Sequence, residues 1–108
     1  VNSPALRAAY DFSHFQLRGR KLAESWATLA TQTAFIHVKD ATGEPGKFRF
    51  LLPGEGTIDY ADYFRLLKRD GYRGCVMVEV SGQIWNQPGY DPIAAAKQCY
   101  VVLKKALG

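Results

Sequence analysis

Three side chains in this sequence could do chemistry together: Asp11 in Tyr10-Asp11-Phe12, His37 in Ile36-His37-Val38, and Glu79 in Val78-Glu79-Val80. Each falls at or near the end of a different apolar run of strand length. Two carboxylates and an imidazole can bind a divalent cation, and the oxygen-rich mix suits Mn²⁺, Mg²⁺ or Co²⁺ as well as Zn²⁺. Glu79 is the sharpest signal, because a carboxylate within Val-Met-Val-Glu-Val is costly if buried without a partner. It is either paired with an inward base such as Arg7 or it serves as a ligand and catalytic group. Taken singly, His37 also reads as a satisfied polar residue ending a strand, and Asp11 as a turn or helix-cap residue.

Neighbouring residues extend the set. His14 lies three positions after Asp11, either contacting a ligand or solvated in a loop. Lys39 shares strand parity with His37, and lysine can act as a Schiff-base nucleophile. An ion pair with Asp40 or another carboxylate is the simpler reading. Trp85 either covers a sugar face, as a lid would, or plugs the loop that carries it.

The elements that must position these groups alternate. Leu6–Tyr10 reads as a strand running into the loop Asp11–His14, and Arg20–Ala30 as a helix with Leu22, Ala23, Trp26, Leu29 and Ala30 on one side. Thr33–Val38 is a second strand, and Asp40–Ile58 a long loop punctuated by Pro53-Gly54-Glu55-Gly56. Asp59 caps a helix to Arg69 with Ala61, Phe64 and Leu67 inward. Cys75–Val80 is the third strand, residues 83–89 a loop, and Asp91-Pro92 opens a helix to Leu107 with Ile93, Ala96, Cys99, Tyr100 and Leu103 on its apolar side. The order β-α-β-α-β-α predicts parallel strands with right-handed crossovers.

One strand face is apolar (Leu6, Ala8, Tyr10; Ala34, Ile36, Val38; Val76, Val78, Val80) and the other is mixed and ends in polar groups. That asymmetry reads as a barrel with a site at the C-terminal ends of its strands. The expected fold class is α/β: residues 1–108 as the C-terminal three βα units of a (β/α)₈ TIM barrel, which typically runs to ~250 residues. Three strands cannot close, so an isolated piece carries two unpaired edges and is expected to form homo-oligomers through them.

Composition excludes other classes. At 47% hydrophobic and 22% charged, the chain is a packed globular one. The net charge of +4 is spread along the sequence and makes no case for nucleic acid. No apolar run approaches the ~18 residues of a membrane span. Cys75 and Cys99 read as buried free thiols, which favours a reducing, cytoplasmic setting.

The ordered set Tyr10-Asp11-Phe-Ser-His14, Ile36-His37-Val-Lys-Asp40, Leu52-Pro-Gly-Glu-Gly-Thr-Ile-Asp59, Gly71-Tyr-Arg-Gly74 and Val78-Glu79-Val80 resembles strands six to eight of the xylose isomerase-like TIM barrels. That resemblance implies a metal-dependent sugar isomerase or epimerase. Asp11, His37 and Glu79 would bind the metal, with a fourth ligand on strand five that this chain lacks. His14 would contact a small sugar or keto-polyol substrate. Glu79 would be one of two glutamates moving a proton at a carbon next to a carbonyl, through an enediolate. Lacking the second glutamate, the chain alone is expected to be inactive. The alternatives are a keto-sugar or polyol dehydratase of the same superfamily and a non-catalytic sugar-binding or interaction domain. Two departures narrow the family: Phe48-Arg49-Phe50 stands where the DNA-repair branch places an Asp-x-His, and Leu51 where ketose epimerases carry an arginine.

Overall fold

Strand pairing follows from where apolar residues alternate, and it brings the three polar strand ends into one row. The computed structural model describes residues 2–108. In chain order the elements are β1 (Ala8–Asp11), α1 (Phe12–Gln16), α2 (Leu22–Leu29), a 3-10 turn (Ala30–Gln32), β2 (Thr33–Val38), β3 (Asp40–Glu44), β4 (Lys47–Leu51), α3 (Tyr60–Arg69), β5 (Cys75–Val78), α4 (Gly82–Trp85) and α5 (Pro92–Leu107). β1, β2 and β5 form one parallel sheet in the order β1-β2-β5. Asp11 lies opposite His37, and His37 opposite Met77. The mixed α/β pattern of parallel strands and crossover helices is that of part of a TIM barrel.

The core fills one side of this sheet. Tyr10, Ile36 and Val38 pack with Trp26 of α2 and with Tyr60, Tyr63, Phe64, Leu66 and Leu67 of α3. Trp26 donates its indole N–H to Asp70 at 2.8 Å, and the hydroxyls of Tyr10 and Ser25 share a 2.7 Å hydrogen bond. Tyr63 is the exception: its hydroxyl is buried without a partner, and burial pushes its ionisation far above the ordinary tyrosine range. Tyr63→Phe is therefore expected to stabilise the chain by about 1 kcal/mol, because the lost oxygen makes no bond to forfeit. A urea midpoint that falls instead of rising would show that the hydroxyl is satisfied in solution.

Caps fix the element starts. Asp59 accepts from the backbone N–H of Asp62, and Asp91 from those of Ile93 and Ala94, as expected of N-cap carboxylates. The second predicted strand coincides with β2. β1 begins later than predicted, leaving Leu6 exposed, β5 ends at Val78 rather than Val80, and α2 is shorter by two residues at its start and one at its end.

Three larger differences appear. The stretch Asp11–His14 is not a loop: Phe12–Gln16 is helical, capped by Asp11. The long loop holds an antiparallel hairpin, β3 paired with β4, turning at Pro45-Gly46, where Gly46 takes φ +84°. Proline before a positive-φ glycine is the pairing a type II turn needs, and the polar Thr42 and Arg49 in the arms hide the strand pattern. The loop after β5 contains the short helix α4.

Several inward readings are corrected by burial. Ala61 and Ala23 face solvent, while Tyr63 and Leu66 complete the α3 face. Ile93, Ala96 and Tyr100 of α5 are exposed, as are Ala34 and Val76. Of the two cysteines only Cys99 is buried; Cys75 is exposed on the edge strand β5. For Cys75 and Val76 the cause is that, among the described residues, β5 has no further strand beside it, so apolar groups on that flank lack a covering layer.

Candidate functional site

The site lies at the C-terminal ends of β1, β2 and β5, on the sheet face turned away from the core. Alternation puts His37 and Lys39 on one side of their strand and Met77 and Glu79 on the same side of theirs. The parallel register then sets Asp11 beside His37. The ladder continues one step past β5, where the backbone N–H of Glu79 donates to the carbonyl of Val38 at 3.1 Å. That bond fixes Glu79 next to the exit of β2.

Asp11 has two jobs, one for each oxygen. Its Oδ1 accepts from the backbone N–H and the hydroxyl of Ser13, at 3.0 and 2.6 Å, and so caps α1. Its Oδ2 is left to face the site, 2.5 Å from Nζ of Lys39. The cap reading of Asp11 is therefore correct and leaves the ligand reading open.

Lys39 is the residue whose importance the sequence understated. Its side chain is 2% exposed and its ammonium joins Asp11 to Glu79 Oε2. His14 Nε2 lies 3.5 Å from the same nitrogen, and the Phe50 ring centroid 4.5 Å. The expected ion pair of Lys39 exists, but with Asp11 and Glu79 rather than Asp40. These contacts are those of the ion-pair reading.

Glu79 is also not the fully buried carboxylate that its apolar context suggests: its side chain is 42% exposed. Its partner is Lys39, not Arg7, whose guanidinium donates instead to the carbonyls of Thr31 and Gln32. His37 Nδ1 stands 3.9 Å from Glu79 Oε2, and its ring meets Phe35 edge-on. His14, exposed at the mouth, lies 3.6 Å from Asp11 Oδ2. Trp85 is 53% exposed and plugs nothing.

Asp40 and the hairpin form a second tier that sequence reasoning passed over. Asp40 is fully buried; its Oδ2 accepts from the backbone N–H groups of Gly54 and Gly56 at 2.9 and 2.7 Å, and its Oδ1 from the Tyr60 hydroxyl at 3.0 Å. A Cβ at position 56 would sit 2.8 Å from the Asp40 Cβ, which is why the turn needs glycine there. Burial pushes the Asp40 carboxyl above the usual aspartate range, against these three donors. The readable signal was an aspartate just past the end of β2, ahead of Pro53-Gly54-Glu55-Gly56. Gln83 of α4 accepts from the backbone N–H of Phe50 at 2.7 Å, holding β4 in place so that Phe50 covers Lys39 and His14.

Asp11 and Glu79 thus converge on one cation position, with His37 at its flank. In kind, this donor set fits a divalent metal ion: two carboxylates and an imidazole at three strand ends. In arrangement, the chain's own ammonium stands at the meeting point, and among the described residues no three His, Cys, Asp or Glu side chains are grouped to hold a metal. No helix among the described residues is long and apolar enough to cross a membrane.

Comparison with known proteins agrees with this architecture. The solved Xylose Isomerase domain protein of Alicyclobacillus acidocaldarius superposes with a TM-score of 0.73 at 26% identity, over 97% of this chain and 38% of that one. The apo 3-keto-D-glucoside 4-epimerase YcjR of E. coli shares the fold, with a TM-score of 0.65 at 22% identity, over 92% of this chain and 33% of its own. In sequence, the chain is 26% identical over 110 residues to SgbU of Haemophilus influenzae, a protein provisionally named an L-ribulose-5-phosphate 3-epimerase. The match takes in 98% of this chain and 38% of SgbU. It is 37% identical over 65 residues to the L-ribulose-5-phosphate 3-epimerase UlaE of Shigella flexneri serotype 5b, covering 59% of this chain and 21% of UlaE. The chain therefore spans well under half the length of these relatives. The family described as Xylose isomerase-like TIM barrel matches residues 1–103, and the chain belongs to it.

Proposed function

We propose that this chain carries three of the metal ligands, and one proton-transfer carboxylate, of a metal-dependent sugar epimerase or isomerase. The observation that carries the reading is the convergence of Asp11 and Glu79 on one cation position, with His37 beside it, at the strand ends where barrels of this family build their sites. The names of SgbU and UlaE support a sugar phosphate as substrate class. Residues 1–108 would form strands six to eight, with their helices, of a larger barrel. The two unpaired edges, β1 and β5, and an open apolar groove lined by Val76, Val78, Cys99 and Leu103 support that reading, as surfaces that further strands and helices would cover.

Asp11, His37 and Glu79 would hold the metal. When bound, it would polarise the carbonyl of a keto sugar and offset the charge that develops as the neighbouring proton leaves. Glu79, on the open side of the site, would take up that proton on one face of the carbon, and the second glutamate, outside this chain, would deliver one on the other face. His14, at the mouth, would donate to a sugar hydroxyl, and Phe50 would keep water from the buried side. A second reading, a sugar-binding domain without turnover, is favoured by one feature: the Lys39 ammonium already neutralises the two carboxylates.

The deciding experiment is metal content after dialysis against Mn²⁺, Co²⁺ or Zn²⁺. Wild type should retain about one ion per chain. Glu79→Gln and His37→Ala should each lose more than the ~10–100-fold in affinity that loss of an outer hydrogen bond costs. A wild type that retains no ion would put the non-catalytic reading first.

A further inference from the structure

We infer that Lys39 is a built-in competitor for the metal position, so that a divalent ion can enter only as this ammonium leaves. The inference rests on the reading of Asp11 and Glu79 as metal ligands and goes beyond it. Its basis is the surroundings of the Lys39 nitrogen. Asp11 Oδ2 and Glu79 Oε2 both touch it, His14 Nε2 is 3.5 Å away, and the Phe50 ring lies 4.5 Å below. The two carboxylate oxygens and the π face each favour a cation, and His14 Nε2 can accept in the tautomer that carries its proton on Nδ1.

A second cation cannot share the position. A divalent ion held by these carboxylates must meet Asp11 through Oδ2, the oxygen on Lys39, and an unmoved ammonium would stand against it as a like charge at close range. Asp11 cannot swing aside to offer a fresh oxygen, because its Oδ1 is committed to the cap at Ser13. Lys39 is buried against Phe50, whereas Glu79 is half-exposed. Entry therefore runs past Glu79, and the ammonium must withdraw from between the carboxylates. Without metal, the same ammonium keeps Asp11 and Glu79 together instead of letting them repel. The site is held in shape when empty, at the expense of affinity when filled.

The test is a titration of the chain with Mn²⁺ and with Co²⁺, followed by calorimetry and by the visible absorption of Co²⁺. Wild type, Lys39→Met and Lys39→Arg are compared. Lys39→Met keeps the length of the stem and removes the charge, so its affinity should rise roughly ten- to a hundred-fold. Lys39→Arg keeps the charge and should bind no more tightly than wild type. Thermal unfolding without metal checks that each variant folds, and Lys39→Met should melt lower when empty and recover more on metal addition than wild type does. If wild type binds metal and Lys39→Met binds it equally or more weakly, the competition is refuted while the metal-site reading survives. If neither protein binds metal, both ideas fall.

Discussion

On the proposed reading, Glu79→Gln in a barrel that contains this chain is expected to lower turnover of a keto sugar by ~10²–10⁴-fold, the usual contribution of a positioned acid-base group. The amide has the shape of the carboxylate but cannot take up a proton. The structure also indicates that the fold will hardly register the change. Glu79 sits at a strand end with 42% of its side chain exposed, and an ion pair in that setting is worth at most about 1 kcal/mol after solvent screening. Its backbone bond to Val38 is untouched by the substitution, and Lys39 keeps Asp11 as a partner. A large fall in kcat with an unchanged melting curve is therefore the signature to look for. Exchange of the substrate's C–H proton with deuterated solvent should fall in parallel. Turnover within about threefold of wild type would remove Glu79 from the chemistry and leave it as the counter-ion of Lys39.

Asp40→Ala should produce the opposite pattern: a loss of stability of about 3 kcal/mol. The substitution leaves the N–H groups of Gly54 and Gly56 and the hydroxyl of Tyr60 without their acceptor, and each orphaned buried donor costs ~1–3 kcal/mol. Relief of a buried carboxylate offsets part of that sum. Asp40→Asn should cost less, since one amide oxygen can still face both glycines. The pH dependence separates these variants further. Burial raises the Asp40 carboxyl above its unfolded value of about 3.9. Between those two values the folded chain binds more protons than the unfolded one, so the contribution of this group to stability falls as pH rises through the window. Asp40→Asn should lack that slope. A denaturation series in which Asp40→Ala costs under 1 kcal/mol would mean that the Pro53–Gly56 turn is not held by this side chain.

Neither prediction depends on the groove beside α5. It lies on the uncovered flank of β5, away from Asp11, His37 and Glu79. Its floor is apolar, formed by Val76, Val78, Cys99 and Leu103, with Lys68 and Lys104 also in its lining.

Local sequence determined the parallel α/β order, the bounds of β2 and the caps at Asp59 and Asp91. In each case one residue type or one period suffices to choose the backbone. It also determined which three residues stand at strand ends, because period two and a polar residue at the close of an apolar run are local facts. Tertiary structure decided the rest. The hairpin over residues 40–51 is tied to α4 by Gln83, more than thirty residues away, which bonds to Phe50, and nothing in Lys47–Leu51 announces that partner. Asp11, with one oxygen in a cap and the other in the site, could be read either way until Ser13 and Lys39 were placed around it. Glu79 looked buried because its neighbours in sequence are apolar. Its exposure was set by the absence of a strand beyond β5, which no local pattern records. Lys39 was read as an ordinary ion pair; which carboxylates it would join depended on the register of three strands. Charge pairing acts over a few ångströms of space, and only the assembled sheet sets those distances.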